Sequence, residues 1–157
     1  MSFLAKLEMD SKEYNILTVE YDITQMMDQH NRPNGAPKGG LIQLTIETGS
    51  DNLLLEWALK HSMIKDGKII FYRRDANSKM KSVEFKDAFC VYLKEIFTAD
   101  GKNPMITRLT ISARELKISN QSIKNSWAGM GGGGSSNENS NDDNKEITSF
   151  NAAGDNY

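Results

Sequence analysis

At 157 residues the chain has the length of one domain, and 19 basic against 21 acidic residues leave a net charge of −2. That charge supplies no positive field for gripping a polyphosphate backbone, so general nucleic-acid binding is not expected. A single cysteine, Cys90, excludes an internal disulfide framework and a cysteine-rich zinc site. No run of about 18 apolar residues is present to span a membrane as a helix.

The opening Met1–Glu8 alternates and carries charge by Lys6. It therefore lacks the apolar stretch of a signal peptide, and a cytosolic (cytoplasmic) origin is the expectation. From there the dominant period is two. Phe3, Ala5, Leu7 and Met9 form one face of a strand, and Asp10-Ser11-Lys12 turns into a second, Asn15 to Ile23, with Leu17, Val19, Tyr21 and Ile23 on one face. Leu41 to Thr48 repeats the pattern with Ile42, Leu44 and Ile46. Leu53 to His61 breaks it: the segment is rich in helix formers, follows Asp51 as a candidate N-cap, and ends in Lys and His where a helix favours cations. It is the one expected helix. Lys68 to Arg74 and Val83 to Phe85 read as a hairpin across Asp75–Ser78, and Ala88 to Phe97 and Ile106 to Ile118 as a final strand pair turning at Asp100–Pro104. The sum is a mainly β protein, an antiparallel β-barrel or sandwich with one short flanking α-helix. Leu44, Ile46, Phe89, Val91, Leu93, Leu109 and Ile111 are expected inside, because the opposite faces carry Gln43, Thr45, Arg108, Thr110, Ser112 and Arg114.

Catalysis has no visible home. His30 and His61 are the only histidines and stand in no metal-ligand spacing. Cys90 sits in a strand pattern without a nearby histidine and reads as a small buried hydrophobe. Neither a catalytic residue nor a cofactor or metal site is expected. Gly35–Gly40 resembles a phosphate loop only superficially, since the GxxxxGK spacing is absent and Pro37 removes an N–H donor. Arg73, Arg74, Lys79 and Lys81 flank a hairpin tip without an aromatic platform, which suits a solvated tip or a subunit contact better than nucleic acid. The informative anomaly is Thr24 to Gly40, 17 aperiodic residues between two good strands, with two of the chain's three prolines and Met26-Met27 at its base. Loops this long in small domains are usually functional, and a stiff protruding arm suits protein–protein contact.

Composition changes after Trp127. Gly131–Gly134 leads into an Asn-, Ser- and Asp-rich stretch, and residues 128–157 hold five acids against one lysine, a net −4 that leaves +2 on residues 1–127. Two regions follow: a β-barrel domain, 1–127, and an acidic Gly/Ser/Asn-rich tail, 128–157, which is too short and too polar to form a catalytic domain. Its one apolar cluster, Ile147-Thr148-Ser149-Phe150, makes Ile147 and Phe150 candidate anchors for docking in a groove or on a strand edge.

Several blocks resemble one family. Ser2-Phe3-Leu4-Ala5-Lys6-Leu7, Arg32-Pro33-Asn34-Gly35 through Gly39-Gly40-Leu41-Ile42-Gln43-Leu44-Thr45-Ile46-Glu47, Asp66-Gly67-Lys68-Ile69-Ile70-Phe71-Tyr72-Arg73-Arg74-Asp75-Ala76, and Arg108-Leu109-Thr110-Ile111-Ser112-Ala113-Arg114 are similar to the Bacteroidetes-type tube protein of type VI secretion systems, the hemolysin-coregulated protein (Hcp/TssD) family. The resemblance runs from Met1 to about Trp127 and does not reach the tail. It implies a barrel with a flanking helix, as in phage tail tubes, and hexameric rings stacked into the inner tube of a contractile injection machine. It also implies passage of effectors, contact with sheath, spike and baseplate proteins, secretion without a signal peptide, no membrane insertion and no enzymatic activity. The stacking contact is expected on the arm, at His30, Asn31, Arg32, Pro33, Asn34 and Lys38. The competing reading is a ligand- or carbohydrate-binding β-sandwich with Trp57, Tyr72 and Tyr92 as a stacking platform.

Overall fold

The computed structural model describes residues 3–74 and 78–127. Its elements are β1 (Ala5–Met9), β2 (Lys12–Tyr21), β3 (Leu41–Glu47), α1 (Leu53–Leu59), β4 (Lys65–Tyr72), β5 (Lys79–Phe97), β6 (Met105–Ile118) and β7 (Gln121–Lys124). All ladders are antiparallel in the order β3-β2-β1-β4-β5-β6-β7, and β3 also pairs with β6. The first six strands therefore close into a barrel, and β7 lies outside on β6. Two segments read separately from the sequence, Val83–Phe85 and Ala88–Phe97, are one 19-residue strand. The polar β7 carried no alternation to announce it.

The barrel interior is filled by Leu7, Ile42, Leu44, Ile46, Ile69, Val83, Phe85, Leu109, Ile111 and Leu116, all nearly or fully buried. Of the expected core, Leu44, Ile46, Leu109 and Ile111 are inside and Leu93 packs against the cluster. Phe89 and Val91 are not core residues: Phe89 is half-buried and stacks on Trp127, ring centroids 5.6 Å apart, and Val91 is 57% exposed. Two irregularities cause this. Asp87, at φ 50, drops out of the ladder together with Arg114 opposite it, so Phe85 and Ala88, three residues apart, both face inward. The register then shifts between Cys90 and Tyr92, which makes Val91 the extra residue and returns Leu93 to the interior. A bulge between Ile16 and Thr18 likewise turns Leu17 outward and leaves Ile16 against the core.

The helix closes part of the barrel by inserting Leu54 and Trp57. Trp57 stacks parallel to Phe85 at 6.3 Å, and its Nε1–H donates to the carbonyls of Met63 and Ala88, both at 3.1 Å. The cap position belongs to Asn52 rather than Asp51, yet the Asp51 carboxylate still accepts the Leu53 N–H at 3.0 Å. The helix ends at Leu59, two residues before His61, because Lys60 turns to extended backbone. Gly67 has φ outside the left-handed region but is required by packing: a Cβ there would lie 2.3 Å from the Phe85 ring.

Candidate functional site

The arm between β2 and β3 is a self-tied hairpin rather than a loop stiffened by prolines alone. Thr24 and Lys38 exchange both backbone hydrogen bonds, at 2.8 and 2.7 Å, and Asn34 N–H donates to Met26 O at 2.7 Å. At the tip Asp28 organises the turn: its carboxylate accepts the His30 and Arg32 N–H groups and the Arg32 Nε–H, at 2.8, 3.0 and 2.9 Å, while Asn31 adopts φ 61. The Arg32 amide, joined by the His30 amide and the Arg32 side chain, holds the Asp28 carboxyl below its ordinary pKa against the opposing effect of desolvation. All six residues expected to make the stacking contact are exposed and belong to this one hairpin. Met26 and Met27 are also exposed, Met27 by 65%, giving the arm an apolar side.

The arm is aimed from its base. Gly40, at φ 109, lies so close to β6 that a Cβ would meet Ala113 O at 2.5 Å and Asn125 Nδ2 at 2.6 Å. Asn125 fills the remaining gap, donating through Nδ2 to Gly39 O and Ala113 O. The Asn125 side chain, just after β7, thus pins the last residues of the arm to the barrel wall.

A second surface was not anticipated from the sequence. β1 pairs with β2 only as far as Asn15, whereas β3 pairs with β2 on to Tyr21. From Ile16 onward the β1-facing edge of β2 has no ladder partner among the described residues. The same occurs on β5, where β4 stops at Ala88 while β6 continues to Phe97. These open edges bound a four-stranded sheet, β2(16–21)–β3–β6(106–112)–β5(89–97). Its inner face is core. Its outer face reads Glu20–Gln43–Thr110–Tyr92 in one row and Thr18–Thr45–Arg108–Lys94 in the next. Large apolar side chains sit exposed at both edges, Leu17 on one and Val91 and the 70%-exposed Phe97 on the other. The signal available in the sequence was strand length: the alternating runs of β2 and β5 are longer than those of β1 and β4.

The residues examined for chemistry do not converge. His30 is on the arm, His61 follows the helix, and the Cys90 thiol is pushed up by burial, which a hydrogen bond with the Tyr92 backbone only partly offsets. No cluster of three metal-ligating side chains occurs among the described residues, and none of their helices is long and apolar enough to cross a membrane. The stacking platform for sugars is not formed, since Trp57 is fully buried in the core.

The family profile described as "Hemolysin coregulated protein Hcp (TssD)" matches residues 1–128. The chain belongs to the Hcp (TssD) family. Among solved structures, Hcp1 from Flavobacterium johnsoniae is 33% identical, with 78% of this chain and 100% of that one covered and a TM-score of 0.74. Hcp1 from Salmonella typhimurium and Hcp3 from Pseudomonas aeruginosa are each 11% identical. They cover 78% and 80% of this chain and 92% and 99% of theirs, with TM-scores of 0.63 and 0.54, and share the fold. No curated protein matches the chain in sequence. As an Hcp, this chain is a tube subunit of a type VI secretion system, a secreted structural protein that associates with copies of itself.

Proposed function

We propose that the two open edges are the lateral contact of the tube: residues 89–97 of one subunit add to residues 16–21 of the next, closing a ring, six-membered as the family resemblance implies. The observation that carries this is the pair of unpartnered edges on one four-stranded sheet. An open edge is a template for pairing, and unlike edges joined head to tail generate a closed cycle. Within the sheet β2 and β5 run in opposite directions, so rotation about an axis along the strands brings them together antiparallel and the alternation continues around the ring. The polar outer face then becomes the lumen wall, with Glu20, Arg108 and Lys94 among the groups presented to effectors. The arm reaches along the axis to the next ring through His30, Asn31, Arg32, Pro33, Asn34 and Lys38, and outer surfaces meet sheath, spike and baseplate proteins. In this reading the subunit assembles in the cytoplasm, leaves through the apparatus, and works without catalysis, metal or cofactor.

Electron microscopy and light scattering of purified variants test the assignment. Val91→Asp places a charge on the β5 edge and should abolish rings while leaving the barrel folded. Lys38→Glu with Met27→Asp should leave rings intact and weaken stacks. Normal rings from Val91→Asp would remove the lateral assignment, and simultaneous loss of rings and stacks in the arm variant would move the arm to the lateral contact.

A further inference from the structure

The β2 edge is bordered by a groove of about 200 Å³ lined by Phe3, Leu4, Leu17, Phe71, Tyr72 and Met80. Phe3 and Met80 are more than half exposed, and Leu4 and Leu17 about 40%. One cation stands against it, the Arg74 guanidinium, 5.7 Å from the centre of the Phe3 ring. Arg73, Lys79 and Lys81 are near it in sequence, Arg73 after Tyr72 and the two lysines on either side of Met80 in β5. None of the four makes an ion pair among the described residues. The groove therefore asks for an apolar residue preceded or followed by acids.

The chain carries such a segment itself. Glu138, Asp142, Asp143 and Glu146 run directly into Ile147 and Phe150, the anchors expected from the sequence, which lie outside the described residues. We propose that this acidic-apolar segment of the tail docks in the groove of its own barrel, its carboxylates against Arg74 and its neighbour Arg73 and its apolar side chains on Phe3, Leu17 and Met80. Eighteen residues separate Trp127 from Glu146, and a Gly- and Ser-rich linker of that length has a mean span of roughly 25 Å, enough to travel along a small barrel. Such a tether gives the docked segment an effective concentration on the order of millimolar.

The location gives the contact a consequence, which rests on the lateral assignment above. The groove borders the edge that the neighbouring subunit must occupy, so tail and neighbour compete for it. The docked tail shields exposed apolar surface in the free subunit and yields when a neighbour brings a whole strand. It acts as a brake on ring closure, and one that salt weakens, because its specificity comes from exposed charges.

The test uses the full-length chain and the variant Ile147→Ser with Phe150→Ser, which keeps every charge and leaves the barrel untouched. Two readouts are needed. Hydrogen exchange of the dilute, unassembled chain should show those amides of residues 16–19 that face away from β3 protected in the parent and exposed in the variant, independently of concentration. The concentration at which rings form should be about tenfold lower in the variant, the change expected from losing one largely buried aromatic anchor, and Arg74→Glu should reproduce the exchange result. Equal protection of residues 16–19 in parent and variant overturns the docking. Protection that rises with concentration also overturns it, placing the tail on another subunit. Tail-dependent protection together with an unchanged ring threshold supports docking but overturns the brake. Absence of rings in every variant at every concentration, with protection still tail-dependent, counts against the lateral assignment and not against the docked tail.

Discussion

The two halves of β5 belong to one strand yet do opposite things. From Val83 to Ala88 it is paired on both sides, by β4 and β6, and its inward residues Val83, Phe85 and Ala88 are fully buried. From Phe89 to Phe97 only β6 remains, and Val91 and Phe97 are exposed. Hydrophobicity does not distinguish the halves; pairing does. Val83, Phe85 and Ala88 of the first half stabilise the subunit, while Val91 and Phe97 of the second are surface that the monomer has no use for and a neighbour can cover. Substitutions should therefore separate cleanly into those that unfold the barrel and those that leave it standing but unable to assemble.

The largest effect belongs to the closed half. Trp57→Ala removes a fully buried ring stacked on Phe85 and leaves the Ala88 carbonyl without its donor. It should cost about 3–5 kcal/mol, read as a fall in the denaturation midpoint. Leu109→Ala, on the buried face of β6, should cost about 2–5 kcal/mol by the same cavity argument. Leu109 faces inward from the open-edged sheet, opposite Leu93, so a midpoint within error of the parent in either variant would mean that the barrel interior is not the stabilising core.

Gly40→Ala comes next, on the boundary between barrel and arm. At φ 109 and with the Ala113 carbonyl 2.5 Å from the added carbon, the substitution should cost about 1–3 kcal/mol of local strain. Because the same contact aims the arm, stacking should weaken even where the barrel stays folded.

How far these regions were legible follows from what alternation encodes. Leu44, Ile46, Leu109 and Ile111 were readable because β3 and the first part of β6 keep an unbroken period of two over paired residues. Phe89 and Val91 were misassigned because Asp87 and Val91 each slip the phase by one, and Leu93 was assigned correctly because two slips cancel. Neither slip has a sequence signature: the positive φ of Asp87 is held by tertiary contacts, its N–H donating to Asp66 Oδ1 at 2.9 Å. The arm was visible as an interruption, but its stiffness lies in the Asp28 carboxylate gathering three N–H donors, which spacing alone did not reveal. The open edges needed partner strands to be known, since an edge is a property of pairing and not of one segment.

A smaller effect, of about 1 kcal/mol for one charge-assisted hydrogen-bond set, is expected where α1 joins the barrel. Burial pushes the Asp51 carboxyl upward, but the Leu53 N–H, the Tyr14 hydroxyl at 2.9 Å and Lys12 outweigh it and leave its pKa below 3.8. The Tyr14 hydroxyl is shifted upward, first by burial and then by Asp51, so it stays protonated as the donor. A carboxyl depressed on folding adds stability above its unfolded pKa and loses it as pH falls through the folded value. The stability gap between the parent and Asp51→Asn should therefore be constant near neutrality and shrink below about pH 4. A gap independent of pH would assign the effect to shape rather than charge.

The smallest effect on the subunit is the one that decides the comparison. Val91 is the extra residue of a bulge, points away from the core and touches no ladder partner on its β4-facing side among the described residues. Val91→Asp should shift the monomer's denaturation midpoint by no more than about 0.5 kcal/mol, the range of ordinary surface substitutions. The new carboxylate would nonetheless be desolvated wherever a second subunit seals that edge, at a cost of several kcal/mol. A protein that melts like the parent and yet forms no rings would show that the second half of β5 is held in reserve for the neighbour. A variant that lost stability and rings in proportion would instead make the whole strand part of one cooperative core.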